Sequence, residues 1–96
     1  MEAVYIEEFT AAGPLTEQAV EALMTVANRY TSALTLTVGE RTVQLPVLPV
    51  CWDELPVRAG TTITVEADRG YRPADLEDRT ALTDFVSTFQ RATGQP

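Results

Sequence analysis

Thr16 follows a Gly13-Pro14 turn and opens the amphipathic stretch TEQAVEALM, so its hydroxyl stands where a loop enters a helix. A hydroxyl there can cap the helix, or it can serve chemistry at a helix N-terminus, which attracts anions. Glu17 and Glu21 fall in the first turns, with no Arg near them in sequence. These carboxylates favour the helix dipole by about 0.3–1 kcal/mol each, and they repel a phosphate. A Thr phosphoester is also too stable to hand its group on. Thr16 therefore reads as an N-cap, worth roughly 1 kcal/mol.

Cys51, Asp53 and Glu54 could suggest a metal site, but three ligands within four residues of a short helix do not converge on one ion. Cys51 has no Lys or His near it in sequence to favour its thiolate, and acidic residues follow Trp52, so burial is the better reading. The carboxylates of DLED (75–78) read as the solvated first turns of a last helix. The chain has no histidine, which removes the commonest general base and the usual nitrogen phosphoacceptor. No Ser-His-Asp set, Gly-rich phosphate loop or RNA-binding aromatic motif is present. These residues imply no metal, no cofactor and no enzyme activity.

Ninety-six residues suit a single domain, 1–96, with an apolar content of 45% that is ordinary for a globular protein. A net charge of −7 disfavours phosphate-backbone binding, so no nucleic-acid partner is expected, and it favours a protein partner with a basic face. No apolar run is long enough for a membrane span. The acidic start MEAVYIEEF is unlike a signal peptide, and a lone cysteine suits a reducing cytoplasm.

The elements that must position these residues follow from periodicity. AVYIEEFT (3–10) reads as a strand whose apolar positions Val4, Ile6 and Phe9 keep no clean alternation, so its register stays open. From Thr16, residues Ala19, Leu23, Val26, Ala27 and Tyr30 share one helical side. ALTLTV alternates strictly, with Leu34, Leu36 and Val38 on one face. Gly39-Glu40 then supplies a two-residue turn of type II′, and RTVQL returns with Val43 and Leu45 inward. TTITVEA (61–67) forms a fourth strand with Ile63, Val65 and Ala67 buried. From Pro73 a second long helix carries the core stripe Ala81, Leu82, Phe85, Val86 and Phe89. Two long helices and one short helix on one face of a four-stranded, mainly antiparallel sheet make an α+β open-faced sandwich.

That order resembles HPr, the small phosphocarrier of the bacterial sugar phosphotransferase system. The strongest stretch is Thr31 to Val65: TSALTLT is similar to the family's second strand and AGTTITV to the start of its fourth. PLTEQA aligns with the family's active-site loop, typically Gly-Leu-His-x-Arg-Pro-Ala. Several extra residues lie around DRGYRPADLE. Carried over by position, Leu15 matches, but the phosphoacceptor His falls on Thr16, the supporting Arg on Gln18 and the helix proline on Ala19. The regulatory Ser of some Gram-positive members falls on Val47. The resemblance thus implies an HPr-like fold, while the substitutions remove its carrier chemistry.

In that fold the proline-punctuated run LPVLPVCWDELPV (45–57) is a short helix beside the active-site loop, and the two form a docking surface. One reading makes Leu48 and Cys51 core, with Val47, Val50 and Trp52 partly exposed packing. The other makes Trp52 and its neighbours an apolar contact patch. The resulting expectation is a non-phosphorylatable, HPr-like protein-binding or regulatory module. Its contact residues are Leu15, Thr16, Glu17, Gln18, Glu21, Val47, Leu48 and Trp52, and Trp52 is the anchor for a partner whose apolar pocket has a basic rim. The alternatives are an atypical phosphotransfer or enzyme-accessory subunit, and a small-ligand-binding domain using the loop-side groove.

Overall fold

Strict alternation in ALTLTV and TITVEAD builds the centre of the sheet. In the computed structural model, which describes residues 5–69 and 74–94, β4 (Thr62–Asp68) and β2 (Ala33–Val38) pair antiparallel at the centre. β1 (Tyr5–Thr10) flanks β4 and β3 (Arg41–Gln44) flanks β2, both antiparallel, giving the order β1-β4-β2-β3. Leu34, Leu36, Val38, Ile63, Val65 and Ala67 are buried on one face. The opposite face carries Thr35, Thr37, Thr62, Thr64 and Glu66, as a period of two requires.

The register of β1 follows from its pairing. Tyr5 and Phe9 lie opposite Ala67 and Ile63 on the buried side, while Ile6 lies opposite Glu66 and is 61% exposed. Phe9 meets Phe89 edge-on at 5.1 Å between ring centres, a geometry worth about 0.5–1.5 kcal/mol beyond its buried area. The hairpin turn between β2 and β3 has Gly39 at φ 61. Glu40 is outside the left-handed region, which is the type II′ arrangement.

One layer of helices covers the apolar face. α1 (Glu17–Ala27) buries Ala19, Val20, Leu23 and Val26. α3 (Ala74–Gly94) buries Ala81, Leu82, Phe85 and Phe89, leaving Val86 half-buried. α3 packs on α1, β1 and β4. The short α2 (Leu48–Cys51) sits between two 3-10 turns, Leu45–Val47 and Trp52–Glu54. Val4, Pro73 and the side chain of Asp75 lie outside the described residues.

Two expectations need correction. α1 ends at Ala27, with Asn28 as its C-cap, so Tyr30 reaches the core from the connector beyond the helix. The DLED carboxylates are not simply solvated. Asp78 is only 1% exposed and accepts a hydrogen bond from Ser32 Oγ at 2.5 Å. Glu77 accepts from the Thr31 backbone N–H at 2.5 Å and from Thr31 Oγ1 at 2.8 Å. The α1–β2 connector lies against this turn of α3, and its donors replace the water these carboxyl groups would otherwise bind.

Further along α3, Asp84 Oδ2 accepts from Tyr30 Oη at 2.6 Å and lies 3.5 Å from Arg29 Nη1. The hydrogen bond to Asp84, then burial and the Asp84 charge, raise the Tyr30 phenol above its usual 10.0.

Ser32→Ala takes a donor from a buried carboxyl group and should destabilise the fold by about 1–3 kcal/mol. Urea denaturation measures this, and an unchanged midpoint would refute the contribution of the Ser32–Asp78 hydrogen bond. Tyr30 gives a pH test with a definite sign. Its folded pKa lies above the unfolded value, so its contribution is complete below pH ~10 and is lost as pH rises through the folded value. Melts of wild type and Tyr30→Phe should therefore converge with rising alkalinity. Parallel curves would contradict the coupling to Asp84.

Candidate functional site

The loop leading into α1 is fixed from three sides. Ala11 exchanges backbone hydrogen bonds with Thr61 and Gly60, its N–H reaching Thr61 O at 2.8 Å and its carbonyl accepting from Gly60 at 2.9 Å. The side-chain amide of Gln90 in α3 accepts from Ala12 N–H at 2.8 Å and donates to Thr10 O at 2.7 Å. Gly13 passes so close to the C-terminal end of α3 that an added Cβ would stand 2.2 Å from the Thr93 carbonyl oxygen. Only glycine permits that approach.

Past this loop Thr16 is extended at φ −130, ψ 169, and its Oγ1 accepts from Ala19 N–H at 3.1 Å. Its hydroxyl is engaged as a cap. Glu17, Gln18 and Glu21 are exposed on the first turns of α1. Leu15 is buried in the core, so it sets the loop's position from beneath.

The proline-punctuated segment presents the second half of the surface. Pro46 is the second residue of the first 3-10 turn and Pro49 the second of α2, first-turn positions where a missing N–H costs little. The segment is too short to offer more than one narrow apolar stripe. Leu45 and Leu48 take it and are buried, which leaves Val47 48% and Val50 79% exposed. Leu48 therefore anchors the segment and offers no contact area itself. Cys51, expected in the core, is half-buried at the last position of α2. Trp52 is half-buried and packs against the core, so it is neither a free anchor nor fully interior. Asp53 and Glu54 are exposed, and Glu54 lies 3.6 Å from Arg41 across the surface.

α1 and α2 pack against each other, which brings the expected contact residues onto neighbouring elements. Exposed Val47 ends the first 3-10 turn and exposed Val50 lies in α2, while exposed carboxylates lie on α1 (Glu17 and Glu21) and on the second 3-10 turn (Asp53 and Glu54). Among the described residues no group of three His, Cys, Asp or Glu side chains could hold a metal ion. No helix among them is long and apolar enough to cross a membrane.

Sequence reasoning missed a cavity of about 390 Å³ between the C-terminal half of α1, the start of β2 and the end of β3. Asn28, Gln44, Asp68 and Arg69 supply its polar wall. It lies at the opposite end of α1 from the loop where a ligand groove was expected. These residues are scattered along the chain and share no spacing, so only the fold brings them together.

Thr16→Ala removes the cap at an exposed position and should cost about 0.5–2 kcal/mol of stability. Binding by the folded variant should be unchanged. Thermal melts paired with a partner titration test both halves, and lost binding in a folded variant would assign the hydroxyl a further role.

No family model and no curated protein matches this chain.

Proposed function

We propose that this chain is an HPr-like domain without phosphocarrier chemistry that works as a protein-binding or regulatory module. The observation that carries this reading is the exposure of Val47 and Val50 on a segment whose Leu45 and Leu48 are buried and whose Trp52 packs on the core. Single exposed apolar residues are ordinary. Val47 and Val50 lie three residues apart on a proline-stiffened segment that packs against α1, the helix that carries exposed Glu17 and Glu21. Exposed Asp53 and Glu54 follow in the next turn, and on this reading they all make an apolar centre with an acidic rim. Such a surface complements a partner pocket bordered by Arg or Lys.

The element order of strand, helix, two strands, short helix, strand and helix supports the HPr-like part of the reading. The absence of histidine from the chain supports the loss of carrier chemistry. The engaged Thr16 hydroxyl and its acidic neighbours point the same way.

Incubation with a phosphoenolpyruvate-driven phosphotransfer mixture should leave the intact mass unchanged, and a gain in mass would overturn the reading. Val50→Asp is the cleaner surface probe, because truncating Trp52 also removes core packing. Losing a buried valine contact should weaken binding to a partner isolated from the native host by about 1.5–3 kcal/mol. Titration calorimetry with wild type and variant measures this. Equal affinities in a variant with an unchanged melt would remove the patch from the interface.

A further inference from the structure

β3 leaves the sheet after Gln44, its last residue paired with β2, opposite Thr35. Leu45 then turns inward, so Ala33 and Leu34 of β2 have no strand beside them on that side. The 390 Å³ cavity opens at this break. That volume is at the small end of ligand pockets, suited to a metabolite and too small for a dinucleotide.

The cavity's two charged residues are consecutive, Asp68 at the end of β4 and Arg69 just beyond it. In an extended strand their side chains would point to opposite faces. Arg69 instead has φ 65, the only non-glycine residue among those described with a positive φ. That conformation is strained for a residue with a side chain. It breaks the alternation, so that both residues line the same cavity. Arg69 Nε and Asp68 Oδ2 stand 3.9 Å apart, a loose pair that leaves most of the guanidinium donors and carboxylate lone pairs available to a ligand. Met24, Leu45 and Pro46 form an apolar wall, and Asn28 and Gln44 add amide groups.

A ligand carrying only an anion would meet the Asp68 carboxylate, and one carrying only a cation would meet Arg69. A small molecule that carries both charged groups on one carbon satisfies the two together. We propose that this cavity binds a free α-amino acid with an apolar side chain. The guanidinium of Arg69 holds the carboxylate, Asp68 holds the ammonium, and the side chain lies along Met24 and Pro46. This site is independent of the valine surface proposed for protein docking.

The test is an NMR titration of the isotope-labelled full chain with L-leucine, L-methionine and L-phenylalanine. At least one should give saturable shifts in the amides of residues 33–35, Gln44 and Arg69 at concentrations up to about 10 mM. The matching N-acetyl acid, which lacks the ammonium, and the amino amide, which lacks the carboxylate, should each bind at least about tenfold more weakly. Arg69→Gln and Asp68→Asn should each weaken binding by a similar factor, whereas Val50→Asp should leave it unchanged. Three results would overturn the proposal: no saturable shift with any of the three acids, equal binding of the blocked analogues, or undiminished binding by both charge variants in folded protein.

Discussion

The hydrogen bond between Ser32 and Asp78 is the constraint on which the arrangement of helices depends. A carboxyl group with 1% exposure needs protein donors in place of water, and Ser32 supplies one only in a single placement of α3. Apolar packing alone would tolerate sliding of α3 along the sheet, because one aliphatic or aromatic contact can replace another. A buried polar group cannot be left behind so cheaply. Glu77 and Asp84, on the same helix, hold Thr31 and Tyr30 in the same connector.

α3 thereby fixes α1 at both ends. Glu77, Asp78 and Asp84 hold the chain leaving α1. Gln90 and the close approach of Thr93 to Gly13 hold the chain entering it. The position of Thr16, and with it the direction in which Glu17 and Glu21 face solvent, follows from contacts made at the far end of a different helix.

Much of this fold was legible in the chain. ALTLTV and TITVEAD alternate without exception, and Phe85 and Phe89 lie one helical turn apart, so strand faces and the core side of α3 follow from periodicity. Thr16 was legible as a cap for a similarly local reason. The burial of Asp78 was not. Acidic residues early in a helix look alike whether they face water or a neighbouring connector, and nothing in DLED encodes where Ser32 will lie. The cavity was hidden more deeply, because Arg69 lies just past the end of a strand and its left-handed backbone leaves no periodic signal. Trp52 resisted both readings offered for it, since a large side chain on a short element can pack on the core and still reach solvent.

The segment 45–54 links the two candidate sites through one geometrical necessity. Its prolines confine it to single turns, and single turns have room for few inward-facing side chains. Leu45 and Leu48 fill those positions, and Leu45 and Pro46 also wall the cavity beside β2. Val47 and Val50, interleaved with them, are directed outward by the same turns. The exposed apolar surface is therefore not a failure of packing but the complement of the buried stripe. With Leu48 fully buried, the backbone that carries the valines is held by the core, so a partner would meet a surface whose shape is already set and would lose little conformational freedom in ordering it.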